Sequence, residues 1–103
     1  MKIAQVIGSC APGGAEVFVK DLIKQLKFLG HDVELWVMIR AKDKSLVNKQ
    51  TLDFEKSFVS ELNRYDIPVK FLNKRLHKDW IKTTRNLKKQ YYRFKPQIVH
   101  SHL

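Results

Sequence analysis

Residues 2–16, KIAQVIGSCAPGGAE, change character twice. Ile3, Ala4, Val6 and Ile7 form an apolar run with few polar interruptions, the pattern of a strand buried on both faces in a parallel sheet. The run stops at Gly8. Ser9 to Gly14 are small, glycine or proline residues that continue neither a strand nor a helix. At Ala15 a helical period takes over. A strand that passes through a glycine-rich loop into a helix confines the chain to α/β architectures. It also leaves the first N–H groups of the helix unpaired and partially positive, a setting suited to an anion and most often to a phosphate.

Two familiar phosphate loops do not fit these residues. Gly8 and Gly13 have the glycine spacing of G-x-x-x-x-G-K-[ST], but Gly14 and Ala15 stand where the lysine and hydroxyl residue belong. Nothing there can reach a terminal phosphate or hold magnesium, which argues against an NTPase. The dinucleotide fingerprint G-x-G-x-x-G fails because Cys10 occupies its second glycine. What remains is a double glycine that admits close backbone approach, followed by Glu16. A tight strand-to-helix turn without a ligand is the alternative reading of the same residues.

The rest of the chain keeps the alternation. A first helix is expected over 14–29, with Ala15, Phe18, Val19, Leu22, Leu26 and Leu29 inward and Lys20, Asp21, Lys24 and Lys27 toward water. Gly30 stands where a left-handed C-cap belongs, and His31 reads as part of the turn. Residues 32–39, DVELWVMI, read as a second strand. A polar, lysine-rich loop over 40–50 leads to a helix over 52–65 carrying Leu52, Phe54 or Glu55, Phe58, Val59 and Leu62 on its apolar stripe. A short third strand follows from Ile67 to Leu72, with Pro68 at its start. The last helix is expected over 77–95. Its packing face, Trp80, Thr84, Leu87, Tyr91 and Phe94, is expected to be committed to the core. Pro96 stops that helix and residues 97–102 form a fourth strand. Strands and helices alternating at this spacing predict a parallel, right-handed α/β sheet.

The chain has 103 residues, enough for one modest core. Its formal charge of +10 implies an anionic partner without choosing among nucleic acid, a phosphorylated small molecule and an anionic lipid surface. The basic residues Lys82, Arg85, Lys88 and Lys89 crowd the last helix. They are either a solvated face or a patch for anionic headgroups, each basic residue near a membrane contributing about 1 kcal/mol. Nucleic acid ranks third, because Tyr92 is the only good stacking candidate among these basics. The single cysteine, Cys10, makes no internal disulfide and no metal cluster. No apolar leader or 18-residue apolar span is visible, so the expectation is a cytoplasmic protein. His100 and His102 are read as pointing to opposite faces of the fourth strand, hence as a poor metal pair. His102 lies at the carboxyl end of that strand, where open α/β sheets place ligands.

Gly8 to Glu16, the run from Leu22 to Val33 with its central Gly30–His31, and Ile98 to His102 (IVHSH) together resemble the N-terminal domain of glycosyltransferase family 4. These are retaining enzymes of the two-domain GT-B architecture. The resemblance implies a Rossmann-like α/β fold with a parallel sheet of about four strands and three helices, the N-terminal half of a GT-B enzyme. It makes residues 1–103 an incomplete acceptor-side domain, with the donor-binding domain absent. The implied reaction is retaining, metal-independent hexosyl transfer from a nucleotide sugar to a glycan or lipid-linked acceptor, of the cell-surface polysaccharide type, with no cofactor beyond the donor. Gly13 and Gly14 are then expected to meet the donor diphosphate, Glu16 to lie at the cleft, and His102 to serve as the catalytic residue at the reacting sugar or the acceptor. Peripheral attachment to the inner membrane face goes with the basic helix. The 103-residue chain alone is expected to be inactive, and to self-associate through its last strand. The rival class is a non-enzymatic split module that binds an anionic partner.

Overall fold

The computed structural model describes residues 1–10, 14–43, 48–72 and 80–102. Four strands, β1 (Lys2–Ser9), β2 (Asp32–Ile39), β3 (Val69–Phe71) and β4 (Ile98–Ser101), form one parallel sheet in the order β3-β2-β1-β4. Among the described residues, three α-helices connect them: α1 (Gly14–Phe28), α2 (Lys49–Arg64) and α3 (Trp80–Phe94). The fold is therefore α/β and Rossmann-like, and its strand order is the first part of the doubly wound order 3-2-1-4-5-6.

The sheet sorts its side chains by parity. Ile7 of β1 and Val33, Leu35 and Val37 of β2 pack with Val19 and Ile23 of α1 and Phe58 and Leu62 of α2. Ala4, Val6 and Trp36 face the other way, against Phe94 of α3. Trp36 is fully buried, and its ring meets that of Phe94 edge-on at 6.5 Å. The two-sided burial of β1 and β2 is what their apolar runs, interrupted within by Gln5 and Glu34, predict.

Each helix ends in a residue of left-handed conformation. Gly30 (φ 94°) closes α1, with its N–H on the Lys27 carbonyl and the His31 N–H on Leu26, both bonds of the Schellman motif. Asp66 (φ 59°) closes α2 by the same pair of bonds, from Asp66 to Asn63 and from Ile67 to Leu62. Lys95 (φ 52°) closes α3 with a single bond from its N–H to the Tyr91 carbonyl, and Pro96 follows. Helix α2 starts earlier than its apolar stripe suggests. Asn48 caps it by accepting from the Thr51 N–H at 2.8 Å, while the Thr51 hydroxyl accepts from the Asn48 N–H at 3.2 Å.

The inward faces differ from expectation most in α1 and α3, and on α2 Leu52 is exposed. On α1 the buried residues are Val19 and Ile23, while Phe18 and Leu29 are exposed. Lys20 and Lys24 do not point freely to water. They converge on Glu61 of α2 at 3.2 and 3.1 Å, tying the two helices together on one face of the sheet. On α3 the expected commitment of the apolar stripe to the core is wrong. Thr83 and Phe94 are buried, but Leu87 and Tyr91 remain 39% and 47% exposed. The reason is the short fourth strand at the sheet edge, which offers α3 too little surface to cover its stripe. A groove of about 320 Å³ results, lined by Trp36, Leu87, Lys88, Tyr91, Tyr92 and Val99.

Inside that face lies a polar cluster that sequence reasoning missed. Glu34 is buried in mid-strand, accepts from Trp36 Nε1 at 3.1 Å and pairs with Arg93 of α3. An acid within DVELWVMI gives no local hint of a partner 59 residues away. Among the described residues, no helix is long and apolar enough to cross a membrane.

Candidate functional site

Strand β4 pairs with β1 in the register Ile3↔Ile98, Ala4↔Val99, Gln5↔His100 and Val6↔Ser101. Pairing continues one residue past β4, where the His102 N–H donates to the Val6 carbonyl at 2.8 Å. His102 thus sits at the carboxyl end of the sheet, on the strand beside the one that leads into the glycine loop. In a parallel sheet this is the edge at which connecting loops diverge and ligands gather.

The two histidines lie on one face, not on opposite faces. Side chains alternate along a strand with a period of two, so positions two apart point the same way. The His100 and His102 ring centroids are 4.0 Å apart. Their shared side is that of Gln5, the register partner of His100. Gln5 is 1% exposed, and its Oε1 lies 2.5 Å from His102 Nε2. The His102 ring is half-buried, and that burial, followed by the nearby His100, holds its pKa below the ordinary 6.5. Its neutral form is favoured near pH 7.

The other predicted site residues lie around the start of α1, which follows β1. Gly13 lies outside the described residues. Gly14 is the first residue of α1, and Glu16 is a half-buried acid of its first turn. Cys10, just after β1, is buried, and its thiol is pushed up to about 12 by that burial and by the negative charges of Glu55 and Glu16. A thiol so protonated is a poor nucleophile, in keeping with its reading as a small residue in a tight loop. Glu55 reaches this region from α2 and accepts the Ala41 N–H at 2.7 Å. The sequence left Phe54 and Glu55 as alternatives for the inward stripe. Phe54 packs against the core, and Glu55 reaches a backbone donor.

The family model described as Glycosyltransferase Family 4 matches residues 12–103. The chain belongs to that family. The match covers all three helices and β4, and so includes Gly13, Gly14, Glu16 and His102. No curated protein matches the chain. Among solved structures, one described as the crystal structure of yeast ynu0, YNL200c, is similar at 16% identity, with a TM-score of 0.48 over 97% of this chain. The chain spans 46% of the length of that protein.

Proposed function

We propose that this family 4 chain is the acceptor-side domain of a retaining glycosyltransferase that moves a hexosyl group from a nucleotide sugar to a glycan or lipid-linked acceptor in surface-polysaccharide synthesis. The observation that carries the reading is the family match over 12–103 taken with the β1–β4 pairing, which sets His102 beside the strand that feeds the glycine loop. In this reading the backbone N–H groups around Gly13 and Gly14 receive the donor diphosphate, Glu16 borders the cleft, and His102 meets the reacting sugar. The bond from the anomeric carbon to the diphosphate breaks, and a bond to the acceptor hydroxyl forms with loss of its proton. No metal or cofactor takes part beyond the donor itself. A second domain of similar architecture binds the nucleotide sugar.

The same reading assigns the exposed Lys82, Arg85, Lys88 and Lys89 of α3 to attraction of anionic lipid at the inner membrane face. Flotation with anionic vesicles should then be strong at low salt and lost at high salt, since the attraction rests on screened charge.

The test of transfer uses the protein together with its donor-binding domain and a panel of uridine, guanosine and adenosine diphosphate sugars. Nucleoside diphosphate release should depend on acceptor. His102→Ala should lower it by about 100-fold or more when assayed well below its thermal midpoint, a larger loss than its effect on folding explains. The 103-residue chain alone should release none. Full transfer by His102→Ala, or turnover by the chain alone, overturns the respective assignment.

A further inference from the structure

We infer that Gln5 is a positioning residue that fixes the orientation and tautomer of the His102 ring, leaving Nδ1 as the atom offered to the ligand. This rests on the proposed role of His102 at the reacting sugar, and it adds a residue from the first strand to that site.

Gln5 lies in mid-strand in β1, between β2 and β4, at 1% exposure. Its neighbours on either side in the sheet are Leu35 and His100. An amide there replaces an aliphatic side chain in a parallel sheet, and a buried amide without a partner costs free energy. The partner is His102, 97 residues away, whose Nε2 meets Gln5 Oε1 at 2.5 Å. Oxygen Oε1 can only accept, so Nε2 carries the hydrogen. In a neutral imidazole the lone pair then belongs to Nδ1. His100 borders the same ring at 4.0 Å, so the imidazole is held by an amide and by a second ring.

This arrangement has a chemical consequence. A phosphate oxygen needs an N–H donor, and the hydrogen on Nε2 is already given to Gln5. An Nδ1 lone pair instead accepts from an O–H. The group that His102 meets is therefore a hydroxyl, of a sugar or of the acceptor, and the diphosphate is left to the backbone donors of the glycine loop.

Long-range proton–nitrogen NMR of the ¹⁵N-labelled chain reads the tautomer directly. The wild type should show His102 protonated at Nε2. Gln5→Leu should give a mixture of tautomers, and Gln5→Glu, which keeps an acceptor oxygen, should restore the single Nε2–H form. Protonation of the wild-type ring at Nδ1, or a Gln5→Leu ring indistinguishable from wild type, overturns the inference. Protonation of the wild-type ring at Nδ1 overturns the inference whether or not the Gln5→Leu chain folds, and Gln5→Met, which keeps the side-chain length without an acceptor oxygen, takes the place of Gln5→Leu if that chain fails to fold. With the donor-binding domain present, Gln5→Leu should lower transfer about tenfold or more, the scale of lost outer-shell partners, with rescue by Gln5→Glu. If the tautomers behave as stated while His102→Ala still transfers sugar at the wild-type rate, the transferase reading fails and the role of Gln5 in orienting the ring stands.

Discussion

At the residue scale, His102 couples the proposed site to stability. Burial and the neighbouring His100 hold its folded-state pKa below 6.5. In the unfolded chain the ring titrates near its ordinary value. Between the two values the unfolded chain binds more protons, so acid favours unfolding. The stabilising contribution of the neutral ring is complete above about pH 6.5 and is lost as pH falls through the lower folded value. Urea midpoints should decline from pH 7.5 to pH 5, and His102→Gln should decline less. A wild-type chain that gains stability on acidification through this window would contradict the burial assigned to the ring. The same residue shows where reading from sequence went astray. Its place at the end of the fourth strand was legible, because Pro96 and the run from Gln97 mark that strand. The side it faces was misassigned by mistaking the two-residue period, and its bond to Gln5 spans a separation that no local pattern reports.

At the element scale, the helix ends make opposite predictions for similar backbone conformations. Gly30 occupies φ 94°, and a methyl group there would meet nothing within 4 Å. Gly30→Ala therefore carries only the backbone penalty of a left-handed non-glycine residue, about 1–2 kcal/mol of lost stability in denaturant titration. Lys95 already bears that penalty at φ 52°. Lys95→Gly should stabilise the chain by about 0.5–1 kcal/mol, and destabilisation would mean that the lysine side chain contributes more than its backbone costs. Between helices, the carboxyl of Glu61 is held below its usual range, first by the hydrogen bond from Lys24 and also by Lys20, against an opposing effect of burial. The pair is partly exposed, with 26% of the Glu61 side chain accessible, so Glu61→Gln should cost no more than about 0.5–1 kcal/mol, and less in 1 M salt. Gly30 was legible because only glycine takes that turn freely. The cap at Asn48 and the Lys20–Lys24–Glu61 contact were not, since the first lies inside a polar stretch and the second depends on how α1 and α2 meet.

On the scale of the whole molecule, β4 decides the surface. It is an outer strand of the sheet, all four of its residues are exposed, and Ile98 and Val99 present apolar groups on its two faces. An uncovered edge of this kind invites pairing with another copy. The chain should self-associate with rising concentration in light scattering. Val99→Lys should reduce that association while leaving stability within about 0.5 kcal/mol, as surface changes usually do. A wild-type chain that stays monodisperse at high concentration would count against the edge as an adhesive surface.

What the sequence determined by itself was the α/β class, the central pair of strands, the glycine-to-helix transition and the order of elements. Those follow from apolar period, glycine, and proline positions, all of which act between residues near in the chain. Only the tertiary structure decided which face each histidine takes, that Gln5 rather than a nearby acid holds His102, that Glu34 finds Arg93, and that α3 leaves Leu87 and Tyr91 in a groove. Each of these depends on strand neighbours and on how much sheet lies beneath a helix. A sheet with β1 inside and β4 at its edge brings positions 5 and 102 together, and it leaves α3 broader than the surface it covers.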